Sequence, residues 1–125
     1  MRLPVALVQV DATGDVPANI ERATALAAEA ARAGARLVVL PEYLQYRGPD
    51  EGFRASARQI PGPHTDAFAE VARRHDAWIL PGSLAESSDD DERPFNTSVL
   101  IAPDGSIAAT YRKIHLFDVA VDAGP

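Results

Sequence analysis

The chain has 125 residues, enough for one domain with a single core, and its 46% apolar and 24% charged composition is that of an ordinary globular protein, neither disordered nor repetitive. A net charge of −6 and a pI near 4.9, with the arginines scattered, argue against nucleic acid as the main partner, because phosphate binding needs a clustered cationic face. There is no cysteine, which excludes disulfides, thiolate metal sites and thiol catalysis by these residues. His64, His75 and His115 form neither an HxxxH nor an HExxH pattern, so no metal or other cofactor is expected. The apolar run at the start is interrupted by Gln9 and Asp11, too soon for a signal peptide, and no stretch approaches the about twenty apolar residues of a membrane helix; the expectation is no membrane contact and a cytoplasmic site.

Residues 4–10 read as a short strand buried on both faces, since Val5, Ala6, Leu7 and Val8 run together instead of alternating. A helix follows. Asp15 is placed to cap it, Pro17 suits its first turn, Val16, Ile20, Ala23, Ala27 and Ala30 recur at helical spacing, and Gly34 is its stop. Residues 37–40 form a second buried strand closed by Pro41, which completes a βαβ unit. Residues 43–59 hold Gly48, Pro49 and Gly52 and read as a long loop with a helical stretch at 53–58.

Gly62 and Pro63 open a second helix, with Phe68, Val71 and Ala72 on one face, Glu70 paired to Arg74 on another, and an end at His75 and Asp76. Residues 77–80 form a third buried strand that takes Trp78 into the core, and its exit through Pro81 and Gly82 repeats the exit through Pro41 and Glu42. Asp89, Asp90, Asp91 and Glu92 make a solvated acidic loop without the Gly and Glu spacing of a calcium loop. Residues 96–102 and 106–113 flank Pro103, Asp104 and Gly105 as an antiparallel hairpin, so the sheet is mixed and the fold class is α/β.

In layered α/β folds ligands bind beyond the carboxyl ends of the strands, where neighbouring loops diverge. Glu42 sits there, one residue past a buried strand on backbone stiffened by Pro41; it is either an exposed strand-end carboxylate or a general base in a partly desolvated place. Of 12 cationic side chains 11 are arginine, and the one lysine, Lys113, follows the second arm of the hairpin between Tyr111, Ile114, Leu116 and Phe117. A lone ammonium among guanidiniums is either a surface residue or a compact point charge placed for chemistry. His115 supports the loop of Lys113 through a hydrogen bond or acts as a base, and Tyr46 lines a pocket or covers the core.

The segments LVVLPE at 37–42 and YRKIHLFD at 111–118, with VALVQ at 5–9, WILPGS at 78–83 and FNTS at 95–98 in the same order, resemble the amino-terminal half of the carbon–nitrogen hydrolase, or nitrilase, superfamily over essentially the whole chain. That resemblance implies part of an α-β-β-α sandwich with helices on one face of a mixed sheet. It also implies hydrolysis of a small-molecule amide by a Glu, a Lys and a Cys, with Glu42 as base and Lys113 as the cation at the tetrahedral intermediate. The segment around Lys113 looks more like the amidase branches than the nitrile-cleaving ones, and the complete protein is expected to be a homo-oligomer. The family's cysteine, and a further glutamate before it, lie downstream of the lysine. Residues 1–125 therefore read as an apparently truncated portion of one hydrolase domain, inactive as they stand and with open sheet edges that invite association. A non-catalytic half-domain that binds a partner or dimerises is the other reading. A nucleotide-binding domain lacks any GxGxxG or GxxxxGK[ST] after a strand.

Overall fold

The computed structural model describes residues 1–116; Phe117 and Asp118 of the lysine segment, and the residues after them, lie outside the described residues. In chain order the elements are β1 (Val5–Leu7), α1 (Val16–Arg32), β2 (Leu37–Val39), α2 (Asp50–Ser56), α3 (Pro63–His75), β3 (Trp78–Leu80), β4 (Leu84–Glu86), β5 (Phe95–Ile101) and β6 (Ile107–Arg112). They form one mixed sheet. β1, β2 and β3 are parallel, in rows Val5–Leu37–Trp78, Ala6–Val38–Ile79 and Leu7–Val39–Leu80. β5 then runs antiparallel, with β3 and β4 along one edge and β6 along the other.

The helices begin and end where local chemistry says they should. The Asp15 carboxylate accepts from the Ala18 N–H at 3.1 Å, and Gly34 at φ 111 takes the left-handed step that a β-carbon resists. The apolar face of α1 is not wholly apolar, however. Asn19 is buried beside Ala23 and Ala27, because its amide nitrogen donates to the Thr13 and Gln45 carbonyls at 2.7 and 3.0 Å and so ties α1 to the loop after β2. Asp76 ends α3 at φ 50, and Glu70 pairs with Arg74 at 3.1 Å as the spacing predicts.

The core lies between the sheet and the pair α1 and α3. Val38, Ile79, Val99 and Ile101 point at Phe68, Ala72, Ala23 and Ala27, and the small alanines let the helices approach closely. Each fully buried Val, Ile or Phe contributes about 1.5–3 kcal/mol of transfer free energy. The opposite face is different. Val5 is 49% exposed, Leu7 82% and Trp78 36%, so the two-sided burial expected for the first strand and the core position expected for Trp78 are both corrected. Strand alternation sends the middle row to the helices and the two outer rows to a face that no described residue covers. Two elements also depart from expectation: α2 starts earlier, at Asp50, and the three-residue β4 was too short to show a pattern in the sequence.

Candidate active site

Glu42 leaves β2 behind Pro41 and pairs with Ser83 in a short parallel bridge, so the exits of β2 and β3 are held side by side. The Tyr43 N–H donates to the Ser83 carbonyl at 2.9 Å, and Tyr43 itself takes φ 53, an uncommon setting for a bulky residue that recurs at functional sites. Its ring meets Phe53 of α2 edge to face at 4.7 Å. Burial first, and then the neighbouring Glu42 carboxylate, push the Tyr43 phenol above its ordinary range, so it stays a neutral donor. Gly82, at φ 57, packs directly on the Pro41 carbonyl and accepts from the Ser98 hydroxyl at 2.7 Å.

Lys113 arrives from the other side. Its backbone N–H donates to the Asn96 carbonyl at 2.8 Å, one step beyond the Thr97–Arg112 pair of β5 and β6. Its ammonium lies 3.3 Å from Glu42 Oε1. The amide nitrogen of Asn96 donates to the same oxygen at 2.7 Å. Glu42, Asn96 and Lys113 therefore meet across 54 and 71 residues of chain. The Glu42 and Lys113 side chains keep 56% and 40% of their exposure, so the expected desolvation is partial at most, and an ion pair this open contributes only about 0–1 kcal/mol. Stability does not explain the arrangement.

Arg112, the residue before Lys113, points the opposite way, as successive strand residues do. Its guanidinium makes two bonds to the buried Glu86 carboxylate, at 2.7 and 3.0 Å, and lies 4.2 Å above the Phe95 ring. The Thr97 hydroxyl donates to the same carboxylate at 2.7 Å. The Arg112 bonds, followed by that from Thr97, hold the Glu86 carboxyl below its ordinary range against the opposing effect of burial. This buried anchor fastens the end of β6 and so fixes where Lys113 begins.

Glu42, Asn96 and Lys113 open into a cleft of about 720 Å³. Tyr43 and Phe53 give it an aromatic wall, and Arg47, Arg54 and Arg93 lie on its rim. Such a cleft suits a small molecule with one polar, reactive end. Tyr46 also borders it, but the residue is 9% exposed and its hydroxyl donates to the Pro49 carbonyl, which is the packing role of the two the sequence left open. His115 is exposed and makes no hydrogen bond with the described residues; among these, Asn96 and Arg112 place the lysine. Neither Asn96 nor Glu86 is singled out by sequence reasoning. Asn96 stands in the FNTS segment, whose match carried no role for it. Among the described residues no group of His, Cys, Asp and Glu is arranged to hold a metal ion, and no helix is long and apolar enough to cross a membrane.

Residues 4–125 match the sequence model of the family described as carbon-nitrogen hydrolase. The chain is 37% identical over 117 residues to the omega-amidase NIT2 of Homo sapiens, which covers 94% of this chain and 42% of that protein. Its backbone matches the NitFhit protein of C. elegans with a TM-score of 0.79 at 26% identity, over 98% of this chain and 31% of the other. It also matches Saccharomyces cerevisiae Nit3, a member of branch 10 of the nitrilase superfamily, with a TM-score of 0.78 at 26% identity, over 90% of this chain and 44% of the other. The chain thus spans less than half the length of these relatives.

Proposed function

We propose, since this chain belongs to the carbon–nitrogen hydrolase family, that it carries the base and the cation of an amidase for small carboxamides, the nucleophilic thiol coming from sequence outside these residues. The observation behind this reading is the meeting of Glu42 and the molecule's one lysine at 3.3 Å in a single cleft. Likeness to proteins named omega-amidase favours an amide over a nitrile.

In this mechanism Glu42 takes the proton of a cysteine thiol, and the sulfur attacks the amide carbon. The carbonyl electrons move to oxygen, where the Lys113 ammonium stabilises the negative charge. Collapse of the tetrahedral intermediate expels ammonia with the proton that Glu42 returns, leaving a thioester. Glu42 then takes a proton from water, the hydroxyl adds to the thioester carbon, and the carbon–sulfur bond breaks as Glu42 returns that proton to the sulfur, releasing the acid and restoring the thiol. General base catalysis contributes typically about 10²- to 10⁴-fold to such a step.

The test is ammonia release from a panel of amides by the protein read through beyond Pro125. Glu42→Gln and Lys113→Ala are each expected to lower kcat by at least about 10²-fold. Full activity in both variants would overturn the reading. A second reading, a half-domain that binds a partner or dimerises, draws on the exposed Val5, Leu7 and Trp78. A stop codon directly after Pro125 selects it, and a cysteine codon soon downstream selects the enzyme. A cytoplasmic site and a homo-oligomeric complete protein remain part of the proposal, the oligomer on the family resemblance alone.

A further inference from the structure

The two oxygens of the Glu42 carboxylate are not equivalent. Oε1 accepts from both Asn96 Nδ2, at 2.7 Å, and Lys113 Nζ, at 3.3 Å, whereas Oε2 has no hydrogen-bond partner among the described residues. Asn96 is 4% exposed and sits in β5 paired with Ala85, so its side chain comes off a strand bonded on both sides. Its carbonyl also accepts the Lys113 N–H at 2.8 Å. One buried residue thereby touches the candidate base through its side chain and the candidate cation through its backbone.

We propose that Asn96 is a positioning residue for Glu42: by occupying Oε1 it turns Oε2 into the oxygen that exchanges protons in the cleft. The proposal rests on Glu42 being the base. The reasoning is geometric. An exposed glutamate samples several rotamers, and a carboxylate that rotates offers either oxygen in any direction. A 2.7 Å bond from a fixed amide removes that freedom, and the ammonium alone does not, because a lysine is a flexible point charge on a long stem. In the step concerned the S–H bond of a cysteine thiol breaks, the proton joins Oε2, and the electron pair stays on sulfur. Oε2 later passes that proton to the departing amine nitrogen.

The experiment compares Asn96→Ala, Asn96→Ser and Asn96→Asp with the parent in the complete protein, with melting temperatures measured alongside kinetics. Misdirecting a reacting group by about 1 Å costs up to about 10²-fold, so Asn96→Ala is expected to lower kcat by about 10- to 100-fold with KM within about threefold. Asn96→Ser, which keeps a donor, should retain more than Asn96→Ala. Asn96→Asp should retain least, since it replaces the donor with a second anion beside Oε1. A residue needed only to fill the strand predicts the reverse, with the nearly isosteric Asp above Ala. That order, or near-parental kcat in Asn96→Ala, would overturn the proposal, and the Ala and Ser pair decides it if the Asp variant does not fold. Activity in Glu42→Gln would instead remove the base on which the proposal stands, which separates the two failures.

Discussion

At the scale of single residues, the cleft depends on two positions whose backbone takes the left-handed conformation. Gly82 lies at φ 57 against the Pro41 carbonyl, where a β-carbon would collide with backbone that cannot yield cheaply. Tyr43, at φ 53, is held by its bond to Ser83 and by the Phe53 ring. Gly82→Ala is therefore expected to destabilise the chain by more than about 1 kcal/mol, read as a lower urea midpoint, because it adds left-handed strain to a steric clash. Since the clash falls on the residue before Glu42, the same variant in the complete protein should also lose kcat. Unchanged stability would mean that the two strand exits are not locked together as described.

At the scale of elements, the hairpin end and the start of α3 each hold a buried ionisable group. Glu86 joins β4, β5 and β6 through Thr97 and Arg112, and Glu86→Ala leaves the Thr97 hydroxyl without its acceptor, an expected loss of about 1–3 kcal/mol by denaturant titration. His64, on the first turn of α3, sits with its Nε2 3.1 Å from the Ser56 carbonyl that ends α2. Burial is the main reason its pKa falls below the ordinary 6.5. The folded state therefore binds fewer protons there than the unfolded state, and stability declines as the pH is lowered from about 6.5 through the folded pKa. Glu86 adds a loss in the same direction. Its depressed carboxyl stabilises fully above the ordinary 4.5, and that contribution disappears as acid reaches its lower folded pKa. Melting temperature should thus fall on acidification, and His64→Gln, which keeps a donor for Ser56, should flatten the part of the curve just below pH 6.5. A curve in that range identical to the parent's would show that His64 is not the group responsible.

At the scale of the whole molecule, one face of the sheet is packed by α1 and α3, and the other presents Val5, Leu7 and Trp78. Apolar rows of this kind mark surfaces that associate. The 125-residue chain should therefore sediment as a concentration-dependent oligomer, and Leu7→Glu with Trp78→Glu should shift it toward monomer. A monomer at all concentrations in the parent would show that this face tolerates water.

Apart from β4 and the early start of α2, the order of strands and helices and the mixed sheet were legible in the residues alone, because they rest on local periodicity and local hydrogen bonds: the Asp15 cap, the Gly34 stop, the apolar run at 37–40. Motif order was enough to mark Glu42 and Lys113. Which face of the sheet is covered was not legible, since a run such as Val5 to Val8 records apolarity without saying what lies opposite each side chain. Nor was Asn96. Its part in the cleft comes from pairing β5 with β6 and from the neighbouring exits of β2 and β3, which together bring Asn96 within a hydrogen bond's reach of Glu42 across 54 residues of chain.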